Sequence, residues 1–316
     1  MVITKPCPTV RFLLSTLIFI PMIKKITFVV PIMFAVTFLT AQEITGFVFN
    51  KESSEPVKYA NVKIKNLNRG TYVNEQGQFR IKAEQNDTLI ISCIGFNIQF
   101  FPVSLLNSGD TLYLNPRSYI IPDVVITNKS KTIEVGYLEE KTKLYHVFPA
   151  YQWGTEFVCF ISNNSKKNSR ILSVSFIAKP GKAESIIRLH VYEPLSSGKP
   201  GEELLQKDVL VTSSQISKGR LEIDITNHNI VFPENGVFVG LELIGYKNYN
   251  AIKEDLSRTT NKIIEIGLIK AVDSKCFTKF IFDDNTNWKR VYNSKAIIEN
   301  FGNPLSYQIG LLIQDS

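Results

Sequence analysis

From Ile44 onward apolar and polar residues alternate in short runs separated by polar turns. Val62 and Ile64 alternate with Lys63 and Lys65, which predicts a strand dry on one face and wet on the other. Asn74-Glu75-Gln76-Gly77 reads as a tight turn whose glycine takes positive φ, and Phe79-Arg80-Ile81-Lys82 resumes the alternation. Asp87-Thr88 opens the apolar run Leu89 to Ile94, the predicted central strand of a small β-sandwich. Asn128 to Lys143 is dense in charge and weak in period, with one strand expected at Ile133 to Tyr137. Strand patterns then return at Phe157–Ile161, Ile171–Ala178, Ser185–Tyr192, Gly219–Ile225, Gly236–Ile244, Ile263–Leu268, Trp288–Tyr292 and Tyr307–Gln314. Gly- and Pro-bearing turns part them, so a second sandwich, most simply jelly-roll-like, is predicted. Helix is expected to be scarce, one or two turns at Glu202 to Lys207.

The first 41 residues follow a different pattern. Met22-Ile23-Lys24-Lys25 supplies a positive start, Ile26 to Leu39 an apolar run of fourteen, and Leu39-Thr40-Ala41 a small-residue exit. That order predicts a secretory signal cleaved after Ala41, and the run is short of the roughly 20 residues a spanning helix needs. A second apolar run, Phe12 to Ile23, precedes it, so translation is expected to begin at Met22; an amino-terminal membrane hairpin is the alternative. No lipobox cysteine follows the signal, and no permanent transmembrane anchor is expected after cleavage. The expected organisation is a signal segment at 1–41, a β-sandwich at 42–127, a linker at 128–150 and a second β-sandwich at 151–316. The whole mature chain is expected to be all-β.

The quoted elements also resemble a known family. Ile44-Thr45-Gly46-Phe47-Val48, Glu55-Pro56-Val57, Ala60-Asn61-Val62, Gly70-Thr71, Asn74 to Phe79, Asp87-Thr88-Leu89 and Ile94-Gly95-Phe96 occur in the order found in the carboxypeptidase regulatory-like domain. The resemblance covers about a quarter of the chain. It implies a seven-stranded transthyretin-like sandwich with no catalysis of its own, common in exported bacterial proteins and at the amino terminus of TonB-dependent receptors. Ile121-Pro122-Asp123-Val124-Val125-Ile126-Thr127 looks like the family's exit strand, and the fewer than 190 residues after it are too few for a large transport barrel. The second half resembles carbohydrate-binding jelly rolls in pattern, an analogy of fold alone.

Charge narrows the function classes. The formal net charge of +7 includes four basic residues before position 42. Without them 32 basic residues face 29 acidic ones, a net of +3, and no basic stripe is interleaved with aromatics. Nucleic acid is therefore not an expected partner. Three cysteines remain after cleavage; Cys93 and Cys159 sit in buried-strand patterns and read as free apolar thiols, with a Cys159–Cys276 bridge as the alternative.

Candidate chemistry is sparse. His190-Val191-Tyr192-Glu193 with His228 has the residue types of a zinc hydrolase, but on a strand positions i and i+3 face opposite ways. No metal or other cofactor is expected on that basis. Asp283-Asp284-Asn285 offers oxygen ligands for calcium, against the commoner reading as a solvated turn. Trp288, Tyr292, Tyr246 and Tyr249 are candidate ligand-binding aromatics, against the commoner reading as packing. The expected function is non-enzymatic binding in the periplasm, at the outer membrane or on the cell surface, with an envelope protein or a glycan as partner. The alternatives are an accessory carbohydrate-binding protein and, further off, a zinc-dependent hydrolase.

Overall fold

The computed structural model describes residues 42–118, 131–138, 144–165, 169–246, 262–283 and 287–315. The expected signal segment, exit strand and Tyr249 lie outside these. Glu43 to Ser316 form one compact unit built from two β-sandwiches.

The first sandwich contains β1 (Gln42–Asn50), β2 (Asn61–Ile64), β3 (Gly70–Tyr72), β4 (Gln78–Ala83), β5 (Thr88–Ser92), β6 (Gln99–Pro102) and β7 (Asp110–Leu114). A three-stranded sheet ordered β4-β1-β7 faces a four-stranded sheet ordered β3-β2-β5-β6, and β1 and β7 run parallel. Alternation decides which residues go inside. Phe79, Ile81 and Ala83 of β4 are buried while Gln78, Arg80 and Lys82 are exposed. Val48, Val62, Ile64, Leu89, Ile91 and Leu114 complete a dry core, each buried side chain stabilising by about 1.5–3 kcal/mol. Gly77 has a φ of 83°, and the Asn74 side chain accepts from the backbone N–H groups of Gln76 and Gln78, as the turn reading requires.

The second sandwich starts with β8 (Thr132–Gly136) and β9 (Leu144–Pro149), which lie in the stretch expected as a connector and pair with β22 and β18. It continues with β10 (Thr155–Ile161), β11 (Ser169–Pro180), β12 (Ser185–Pro194), β13 (Pro200–Glu203), β14 (Leu210–Thr212), β15 (Arg220–Asp224), β16 (Val231–Phe232) and β17 (Val237–Tyr246). The strands β18 (Lys262–Lys270), β19 (Cys276–Phe280), β20 (Lys289–Val291), β21 (Leu305–Tyr307) and β22 (Ile309–Asp315) complete it. One sheet is ordered β13-β12-β17-β10-β19-β20 with β14 on β12; the other is ordered β21-β18-β11-β22-β8 with β9, β15 and β16 attached. Successive strands β10, β11 and β12 alternate between the sheets, as do β17, β18 and β19, so the chain crosses the core repeatedly.

Two expectations are corrected. Pro200–Glu203 is a strand on β12, not a helical turn, because backbone pairing beside Tyr192 and Pro194 outweighs the local Glu-Glu-Leu-Leu preference. The α-helix of the described residues, α1 (Lys295–Phe301), lies elsewhere, with the Ser294 hydroxyl accepting from Ile297 N–H and Gly302 at φ 79° closing it. Cys159 is not a free thiol. It stands directly opposite Cys276 across the β10–β19 ladder, and the two form a disulfide. Cys93 is free.

Candidate functional site

The sheet containing β10, β12 and β17 is buried on both faces, yet polar residues interrupt its strands. On β12, Ile187, Leu189 and Val191 point into the core, and Arg188, His190 and Tyr192 therefore share the outer face. Register places Glu242 of β17 directly across from Arg188 on one side and from Glu156 of β10 on the other, while Lys279 of β19 lies opposite Glu156. Two carboxylates side by side at 0% exposure would repel strongly, and cations must flank them.

They do. Arg188, 1% exposed, donates from Nη1 to Glu242 Oε2 at 2.9 Å and from Nε and Nη2 to the two oxygens of Asp208 at 2.7 and 3.0 Å. Its Nη2 also donates to the Tyr59 carbonyl of the first sandwich at 2.7 Å. His190 lies between Glu203, 2.6 Å from Nδ1, and Glu242, 2.9 Å from Nε2, with Glu156 4.0 Å away. Lys279 Nζ sits 2.9 Å from Glu156 Oε2. Tyr192 donates to Glu156 Oε1 at 2.7 Å, and Tyr72 of the first sandwich donates to Glu242 Oε1 at 2.6 Å.

Electrostatics follow from this packing. Burial alone would push the His190 imidazole down, but Glu156, Glu203 and Glu242 outweigh it and raise the pKa to about 10. Burial likewise works to raise the Glu242 carboxyl, yet Arg188 and His190 hold it well below the usual carboxylate range. Burial and the Glu242 charge push the Tyr72 phenol well up, so it stays a donor. His190 is thus a fixed cation in a filled hydrogen-bond set.

The same surface seats the first sandwich. The Tyr72 ring meets Phe282 edge-on at 5.1 Å and Trp153 at 6.1 Å. Gly70 leaves the room that Phe282 occupies, since a Cβ there would fall 2.0 Å from the ring. Gly95, at φ 87°, brings the backbone against the Gln206 carbonyl, and Cys93 Sγ stands 3.7 Å from Asp208.

The sequence-proposed zinc residues do not converge here. Both ring nitrogens of His190 are taken by carboxylates, Glu193 is exposed, and His228 ends a 3₁₀ turn beyond β15. Among the described residues no group of three or more His, Cys, Asp or Glu side chains is placed to hold a metal. Asp284 and Asn285 lie outside the described residues. Sequence reasoning missed Glu156, Arg188, Glu203, Asp208 and Glu242; the available signal was a single charge inside otherwise apolar strand runs, as in Leu241-Glu242-Leu243.

The proposed aromatic residues are separated. Trp288 packs edge-on to Tyr192 at 5.8 Å and lies under the Lys279 ammonium at 4.2 Å. Tyr246 is buried at the end of β17, its hydroxyl without a hydrogen-bond partner among the described residues. Tyr292 lines an open cleft of about 350 Å³ beside β9, β19 and β20, where its hydroxyl is 2.5 Å from His146 Nδ1.

Comparisons with known proteins fall mainly on the first sandwich. Residues 44–126 match the family described as CarboxypepD_reg-like domain. The TonB-dependent receptor SusC of Bacteroides thetaiotaomicron is 33% identical over 87 residues, 27% of this chain and 8% of the receptor, so the chain spans a small part of that relative. Among solved structures, a candidate carbohydrate binding protein from Bacteroides uniformis aligns with 65% of this chain and 99% of its own at 11% identity and a TM-score of 0.19. A structure of infectious bursal disease virus, Gt strain, aligns with 86% of this chain and 59% of its own at 7% identity and a TM-score of 0.26. At these scores neither bears on function. The seven ordered motifs, the seven-stranded sandwich in which they lie and the family match together identify residues 44–126 as a CarboxypepD_reg-like domain.

Proposed function

We propose that this is an exported, non-enzymatic protein of the cell envelope or surface that acts by binding. Residues 42–127 serve as a fixed platform, and the second sandwich, which begins with β8 and β9, meets the ligand or partner. The observation that carries this reading is the charge-paired cluster. Its histidine is held as a cation, each of its carboxylates is paired with a cation, and the CarboxypepD_reg-like domain covers it through Tyr59 and Tyr72. A general base must be unprotonated near working pH and within reach of substrate, and His190 is neither. The Cys159–Cys276 bridge supports an oxidising compartment, and the shared domain of a TonB-dependent receptor supports the envelope.

A second reading, an accessory carbohydrate-binding role, is favoured by the aromatic cleft at Tyr292. The test of the main reading is incubation of the purified chain from Gln42 to Ser316 with a polysaccharide panel and envelope fractions, scoring both retention and cleavage. Retention without turnover is expected. Turnover that disappears in His190→Gln would overturn it.

A further inference from the structure

The cleft beside β9, β19 and β20 has a two-sided chemistry. One wall is aromatic: Phe280, 38% exposed, and Tyr292 present ring surface, backed by buried Phe148 and Tyr307. Around it stand Gln152, Thr155, Asn287 and Lys289, whose side chains hold no hydrogen bond or ion pair to another described residue.

From this arrangement we infer that the cleft is a binding site for a neutral carbohydrate, one or two sugar rings in size. This rests on the binding function proposed above. A sugar ring has a C–H face and a rim of hydroxyls. The polarised C–H groups suit the negative face of an aromatic ring, and such rings supply apolar contact at little conformational cost. Each hydroxyl both donates and accepts, and the rim offers both roles: two amides, one threonine hydroxyl and a lysine donor. The volume of about 350 Å³ lies at the small end of ligand clefts.

Charge selects neutral over acidic sugars. Lys289 and Asp283 bring one charge of each sign to the lining, and Lys279 is already paired with Glu156. His146 adds no charge at neutral pH because burial lowers its pKa, and Tyr292 stays a phenol because burial raises its pKa to about 12. A carboxylate-bearing sugar would bring a second negative charge beside the Asp283 carboxylate.

The test uses the chain from Gln42 to Ser316 in calorimetric titrations with neutral gluco-, manno- and galacto-tetrasaccharides and with a hexuronic-acid tetramer. The expected result is binding of at least one neutral tetrasaccharide and not of the acidic one. That affinity should fall tenfold or more in Asn287→Ala and in Phe280→Ala, both with unchanged thermal unfolding, and stay within twofold in Phe100→Ala on the first sandwich. Sugar binding untouched by Asn287→Ala and Phe280→Ala overturns the cleft as the site while the binding function stands. Failure of every sugar, or binding of the acidic tetramer alone, overturns the inference. Cleavage of a tetrasaccharide would instead overturn the non-enzymatic function itself.

Discussion

Replacing Arg188 with methionine keeps the length of the side chain and removes the guanidinium that four acceptor atoms depend on. Glu242, at 0% exposure, would lose its 2.9 Å partner, Asp208 its bidentate pair, and the Tyr59 carbonyl its donor. Breaking a buried pair from one side leaves an uncompensated charge, a loss of about 3–5 kcal/mol. For a chain of this size that lowers the melting temperature by on the order of 10 °C. Because one of the four bonds crosses to the first sandwich, the variant should also loosen the contact between the sandwiches, seen as faster amide hydrogen exchange around Tyr59 and Tyr72. Denaturant unfolding gives the free energy, and the double variant Arg188→Met with Glu242→Gln tests coupling: neutralising the orphaned carboxylate should recover part of the loss. A change under about 1 kcal/mol in Arg188→Met, with additive effects in the double variant, would refute the account of the cluster.

Further outcomes follow from the same geometry. Between the unfolded pKa of His190, near 6.5, and its folded value of about 10, the folded chain binds more protons than the unfolded one, so stability should fall as pH rises through that window; Glu242, depressed when folded, adds a loss below about pH 4.5. A flat unfolding free energy from pH 6.5 to 10 would contradict this. Gly70→Ala sets a methyl 2.0 Å from the Phe282 ring and should destabilise by about 1–3 kcal/mol, with partial rescue by Phe282→Leu. The denatured, unreduced chain from Gln42 should titrate one thiol, Cys93, and three after reduction; Cys159→Ala with Cys276→Ala should lose about 2–4 kcal/mol.

The first sandwich was legible because its information is local. Alternation in Gln78 to Ala83 and the Asn74–Gly77 turn declare face and direction within a few residues. Strands of the second sandwich were also legible where long apolar runs mark them, as at Ser185–Pro194 and Val237–Tyr246. Short β19 and β13 were not, since Lys-Cys-Phe-Thr-Lys-Phe and Pro-Gly-Glu-Glu carry too little period to outweigh their polar residues. The charge cluster was illegible for a different reason. Strand period places Arg188, His190 and Tyr192 on one face, but only register brings Glu156 and Glu242 beside them, and only the folded chain covers that face with Tyr59 and Tyr72. The Cys159–Cys276 bridge depends on the same long-range pairing, across 117 positions. Of the proposed aromatics, Tyr292 lies in the cleft, while Trp288 is turned onto Tyr192 and Lys279 by contacts that spacing alone does not encode.

The most direct measurement is the titration of His190 by NMR, with labelled histidine in the chain from Gln42 to Ser316 and His190→Gln for assignment. A clamp of the kind described predicts imidazolium resonances that persist past pH 8 and titrate near 10. A midpoint near 6.5 would mean an imidazole free to take up and release protons at neutral pH, and would contradict the structural reading of the cluster and the non-enzymatic function built on it.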